Sequence, residues 1–130
     1  MLKKVLIADD EPNIVTSLDF LMTKSGYDVR IARDGEEALA LVESFMPDLV
    51  LLDAMMPRRS GYEVCQKVRS RADWRHIRIV MLSAKGREAE VNKGLSLGAD
   101  AYVTKPFSNR ELIATVAGLL QGGQPAPGGA

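Results

Sequence analysis

Several side chains able to do chemistry stand directly after short apolar runs. Asp9 and Asp10 follow the run 4–8, Asp53 follows 48–52, Ser83 follows 77–82, and Thr104 and Lys105 follow 101–103. If these runs are parallel strands of one sheet, all of these residues meet at its carboxyl edge. That edge is where open α/β sheets bind ligands. Carboxylates held together repel: two unit charges about 4 Å apart cost roughly 4 kcal/mol near a protein surface. The set therefore calls for a countercharge. All-oxygen donors suit Mg²⁺ (or Mn²⁺), which binds through one or two carboxylates, keeps several waters and favours phosphate oxygens. Lys105 adds an ammonium, so three aspartates, a divalent cation and a lysine form a neutral site. Such a site accepts a dianionic phosphoryl group. An aspartate can also act as a nucleophile and carry that group as an acyl phosphate. Asp53 is the candidate, because it stands alone on the central run while Asp9 and Asp10 pair as metal ligands.

The elements that must position these residues alternate along the chain. Continuous apolar runs at 4–8, 48–52 and 77–82 suit strands covered on both faces, and weaker strands are expected at 27–32 and 101–103. Helical stripes lie between them: Ile14, Leu18, Leu21 and Met22; Ala38, Leu41, Val42 and Phe45; Gly61, Val64, Cys65 and Val68; and Leu112, Ile113, Val116, Leu119 and Leu120. Asp34-x-x-Glu37, Ser60-x-x-Glu63 and Ser108-x-x-Glu111 have capping-box form. Gly26 and Gly98 sit where helices stop. The segment 88–97 carries a thin stripe, chiefly Val91 and Leu95, and is expected to be the least anchored helix. This β-α alternation predicts an open, doubly wound, five-stranded parallel α/β sheet with five helices. A single folded unit is expected over 1–121, and the Gly/Pro-rich 122–130 reads as a flexible tail or linker.

Composition narrows the field. The chain has 130 residues with 17 Lys plus Arg against 17 Asp plus Glu, so its formal charge is zero. That balance is a poor footprint for a nucleic-acid binder. One cysteine excludes an internal disulfide framework, and one histidine excludes paired-His metal motifs. No apolar run approaches the ~20 residues of a membrane span. A cytoplasmic location without membrane contact is the expectation.

Asp9-Asp10-Glu11-Pro12, Leu51-Leu52-Asp53-Ala54-Met55-Met56-Pro57 with Gly61, Met81-Leu82-Ser83-Ala84, and the run 98–107 (Gly-Ala-Asp-Ala-Tyr-Val-Thr-Lys-Pro-Phe) together resemble the receiver domain of two-component response regulators. The resemblance implies a flavodoxin-like sheet of order 2-1-3-4-5. It implies that Asp53 accepts a phosphoryl group from a sensor histidine kinase or phosphotransfer protein. Asp10, Asp53 and the backbone carbonyl of Met55 would ligate Mg²⁺, with Asp9 acting mainly through a bound water. Ser83 would bind a phosphoryl oxygen, Tyr102 would rotate inward as Ser83 moves, and Lys105 would pair with the phosphoryl group beside a cis Lys105-Pro106 bond. The face built from the fourth helix, the fifth strand and the last helix would then control a downstream protein or an output domain, as a monomer or a phosphorylation-dependent dimer. Such a domain is a phosphoacceptor with weak self-dephosphorylating chemistry, not a dedicated turnover enzyme.

Each residue alone has a blander role. Asp9-Asp10-Glu11-Pro12 can cap a helix, Ser83 can be a satisfied hydroxyl, and Lys105 a surface amine. Their joint placement on one edge is what those roles explain badly. An aspartyl-nucleophile phosphatase would place a second acid two residues after Asp53, where Met55 stands. A flavin or nucleotide carrier would cradle phosphate after the first strand, where the acidic 9–11 segment repels it. A receiver-like docking module that signals without phosphorylation is the alternative. Cys65 is expected in the core, His76 at the surface, Trp74 partly buried, and Arg58, Arg59, Arg69, Arg71, Arg75 and Arg78 on a solvated face.

Overall fold

The computed structural model describes residues 2–84, 92–93 and 95–121. Strands β1 (Lys4–Ala8), β2 (Asp28–Ala32), β3 (Leu49–Asp53), β4 (Arg78–Ala84) and β5 (Ala101–Lys105) form one parallel sheet in the order β2-β1-β3-β4-β5. The described helices are α1 (Pro12–Lys24), α2 (Gly35–Phe45), α3 (Gly61–Ser70) and α4 (Asn109–Leu120), with a 3-10 turn at Ala72–Trp74. Of the expected helix at 88–97, residues 92, 93, 95 and 96 are helical, and residues 88–91 and 94 lie outside the described residues, as does the segment 122–130.

Strand parity explains the two-sided core. Leu6, Ala8, Val50, Leu52, Ile79 and Met81 face α2 and α3, where Ala38, Val42, Val64, Cys65 and Val68 complete one layer. Val5, Ile7, Leu49, Leu51, Val80 and Leu82 face α1 and α4, where Leu18, Met22, Leu112 and Val116 complete the other. Every residue of β3 is buried, which accounts for its unbroken apolar run. Helix α1 centres its buried stripe on Val15, Leu18, Leu21 and Met22, so Val15 takes the place expected for Ile14.

Local chemistry sets the helix boundaries. Ser60 and Glu63 form a complete capping box at α3. At α2, Asp34 accepts from the Glu37 N–H, but the Glu37 carboxylate accepts from Arg33 N–H at 2.7 Å, one residue before the cap. At α4, Ser108 accepts from the Glu111 N–H at 3.3 Å. Gly26 and Gly98 take φ of 94° and 110°, as their helix-stop positions require.

Candidate functional site

Parallel pairing carries the ends of β1, β3, β4 and β5 to the same edge. Asp53 is in register with Leu82, Ser83 with Thr104, and Ala84 with Lys105. Asp53, Ser83, Thr104 and Lys105 therefore lie inside the strands, because β3 ends one residue later and β4 and β5 two residues later than the sequence suggested. Asp9 and Asp10 follow β1 as expected.

Oxygens of Asp9, Asp10 and Asp53 lie within 4.8 Å of one another. Their environments differ. Asp9 is wholly buried, Asp53 is 7% exposed, and Asp10 faces solvent. Asp9 Oδ1 accepts from the Glu11 N–H at 2.9 Å, an Asx turn that folds the chain into α1. Met55 N–H donates to Asp53 Oδ1 at 3.2 Å. Lys105 Nζ lies 2.9 Å from Asp9 Oδ2 and 3.5 Å from Asp53 Oδ1. The ammonium is thus held more closely by the buried Asp9 than by Asp53. Lys105-Pro106 is cis.

The loop after β3 packs tightly because of Gly61. Its N–H donates to Ala54 C=O at 3.0 Å, and a Cβ there would strike the Asp53 carbonyl oxygen. Only glycine lets α3 start this close to the strand that carries Asp53. Ala54 N–H in turn donates to Leu82 C=O at 3.0 Å, extending the β3–β4 pairing beyond Asp53.

The electrostatics show a shortage of positive charge. Burial, then the neighbouring Asp9, push the Asp53 carboxyl up to about 7, against the pull of Lys105 and the Met55 N–H. Burial disfavours the Lys105 ammonium, but the Asp9 hydrogen bond and the Asp53 charge outweigh it and hold its pKa above the ordinary lysine value. An all-oxygen donor set that holds too little positive charge fits a hard divalent cation such as Mg²⁺ or Mn²⁺. At the same edge, Ser83 is 2% exposed and Met55 60%, while Tyr102, paired with Met81 near the start of β5, is 45% exposed.

The family model for the response regulator receiver domain matches residues 5–117. The chain belongs to the response regulator receiver domain family. A response regulator structure from Chloroflexus aurantiacus superposes with a TM-score of 0.90 at 33% identity, covering 93% of this chain and 99% of that one. A chemotaxis response regulator of Vibrio cholerae gives 0.84 at 30% identity over 90% and 98% of the two chains. The receiver domain of a signal transduction histidine kinase from Syntrophus aciditrophicus gives 0.86 at 29% identity over 97% and 96%. Receiver domains are signalling phosphoacceptors of two-component systems rather than dedicated enzymes, they bind Mg²⁺ at an acidic pocket, and they work with histidine kinases or phosphotransfer proteins and output domains. This chain has an acidic cluster of Asp9, Asp10 and Asp53.

The remaining expectations divide. Cys65 is buried and His76 exposed, as expected, and Trp74 is more deeply buried than expected, at 4%. The arginines do not share a solvated face. Arg69 and Arg78 both reach Asp100, and the Arg69 side chain is only 19% exposed. Nothing in the spacing of Arg69 and Asp100 announced that pairing, since it joins distant parts of the chain. No helix among the described residues is long and apolar enough to cross a membrane.

Proposed function

We propose that this receiver is a phosphorylation-activated switch in which Asp53 takes a phosphoryl group from a phosphohistidine of a sensor kinase or phosphotransfer protein. The observation that carries the reading is the convergence of Asp9, Asp10 and Asp53 within 4.8 Å, with the Lys105 ammonium between two of them. An Asp53 oxygen attacks phosphorus; the P–O bond forms as the P–N bond breaks, and the imidazole leaves with the electron pair and takes up a proton. Asp10, Asp53 and the Met55 backbone carbonyl would hold Mg²⁺, and Asp9 would act through a water. The ion, when bound, neutralises charge on the phosphoryl oxygens. Lys105 is drawn from Asp9 toward the new dianion, and the Ser83 hydroxyl binds one of its oxygens. Tyr102, outward in this structure, turns in as Ser83 moves. The surface that carries Leu95, Tyr102 and Ile113 then changes what it offers to a downstream protein or output domain in the cytoplasm.

The test is intact mass after incubation with Mg²⁺ and acetyl phosphate. A single phosphoryl adduct on the wild type, absent from Asp53→Asn and from an EDTA control, supports the reading. Mg²⁺ binding without an adduct from any small donor or from beryllofluoride overturns it in favour of a docking module.

A further inference from the structure

Away from the acidic edge, one side chain ties three parts of the chain together. Arg69, near the end of α3, donates from Nε to Gly98 C=O at 2.8 Å, from Nη1 to Ile77 C=O at 2.7 Å and Arg75 C=O at 3.4 Å, and from Nη2 to Asp100 Oδ2 at 2.7 Å. Asp100 is itself fully engaged. Its Oδ2 accepts the Ile79 N–H at 2.7 Å, its Oδ1 meets Arg78 Nη1 at 3.4 Å, and its own N–H donates to Ile79 C=O at 2.8 Å. Arg69 and Asp100 side chains are 19% and 20% exposed, so these are largely desolvated, charge-assisted bonds. Gly98 is packed so closely on this side chain that an added Cβ would lie 2.7 Å from Arg69 Cγ.

The placement matters because the connection from β4 to β5 has two different ends. It leaves β4 beside Ser83, at the acidic edge, and returns to β5 through Leu97, Gly98 and Asp100 at the opposite edge. A change at Ser83 acts on the near end, while Arg69 holds the far end to α3 and to the start of β4. We infer that Arg69 is a positioning residue, the fixed pivot of the β4–β5 connection, and that it converts a change at the acidic edge into a rotation of the segment carrying Leu95 rather than a slide of β5. The planar five-donor fork is what the pivot needs, because four acceptors lie around it at set angles; an ammonium supplies the charge without that geometry.

The inference is tested by amide exchange, read by NMR at the N–H groups of Leu97, Gly98 and Asp100, which bond to Lys93, Leu95 and Ile79 carbonyls respectively. In the metal-free protein, Arg69→Met should speed exchange at these amides by about tenfold or more relative to any rise in β1, because the opening is local. Arg69→Lys, which keeps the charge and most of the stem, should behave the same way. Wild-type exchange in Arg69→Lys, or a rise of equal size in β1 and at these three amides, would overturn the pivot and leave a general stabilising role. A second arm rests on the proposed phosphoryl site. Mg²⁺ with beryllofluoride should alter exchange at Leu97 and Gly98 in the wild type, while Arg69→Met binds as tightly but transmits no change there. Equal transmission in the variant overturns the pivot. Failure of the wild type to bind beryllofluoride overturns the site reading instead, and the first arm still decides the pivot.

Discussion

Replacing Asp53 by asparagine should make the metal-free protein more stable above neutral pH, although it removes the proposed phosphoacceptor. The Asp53 carboxyl keeps its proton up to about pH 7 in the folded chain, against an ordinary value of 3.8. Between those values the folded state binds more protons than the unfolded one. Stability therefore falls as pH rises through that window and levels off above about 7. The gap spans about three powers of ten in proton affinity, and each is worth about 1.4 kcal/mol, so the ceiling is about 4 kcal/mol. Solvent at the open side of the site screens part of this, and Lys105 loses one of its two carboxylate partners in the variant. A net gain of about 2 kcal/mol for Asp53→Asn at pH 8 is the working figure. In a domain of this size that is a rise in Tm of about 6 °C. The assay is thermal and urea unfolding of both proteins in EDTA from about pH 4.5 to 8. The two stability curves should converge toward the acid end, separate steadily as pH rises from about 4.5 to 7, and run parallel above that. Curves parallel over the whole range, or a separation largest at pH 5, would refute the acid-cluster argument. Adding Mg²⁺ should raise the wild type more than the variant.

Three further outcomes follow from the same geometry. Asp10→Asn, at the exposed member of the cluster, should relieve less repulsion and raise metal-free Tm by a degree or two, while moving the Mg²⁺ titration midpoint up about tenfold. Lys105→Met leaves the wholly buried Asp9 without its ammonium. It should cost about 3 kcal/mol in EDTA at pH 8, and Mg²⁺ should recover part of that, read by urea unfolding with and without the ion. Gly61→Ala drives a methyl into the Asp53 carbonyl. It should cost about 2–3 kcal/mol and slow formation of the acetyl-phosphate adduct, whereas the same change at Gly118, where added carbon meets open space, should do neither.

What could be seen in the chain without coordinates follows how local each cause is. The apolar runs of β1, β3 and β4 showed themselves because both faces of each strand are covered, so burial writes an unbroken signal into consecutive residues. Asp9, Asp10, Asp53, Ser83 and Lys105 could be placed together because parallel pairing turns the ends of separate runs into neighbours, a consequence of topology alone. The different environments of the paired acids could not be read. Asp9 and Asp10 are adjacent in sequence, yet one is sealed against Lys105 and the other meets water, and that difference depends on how the chain turns after β1. The strand ends were misjudged by one or two residues because polar Asp53, Ser83, Thr104 and Lys105 continue the ladder. A polar residue at a strand end is the local signature of a loop, and tertiary pairing overrides it. The Arg69–Asp100 pairing was invisible for the opposite reason. Six arginines between 58 and 78 look alike in sequence, and only the return of the chain at Gly98 selects the one that is held by Gly98 and Asp100. Its four acceptors include three backbone carbonyls, and every residue has one. The contacts that lock the far end of the β4–β5 connection are therefore made mostly to atoms that carry no sequence signal, while the acidic edge is made of side chains and announces itself.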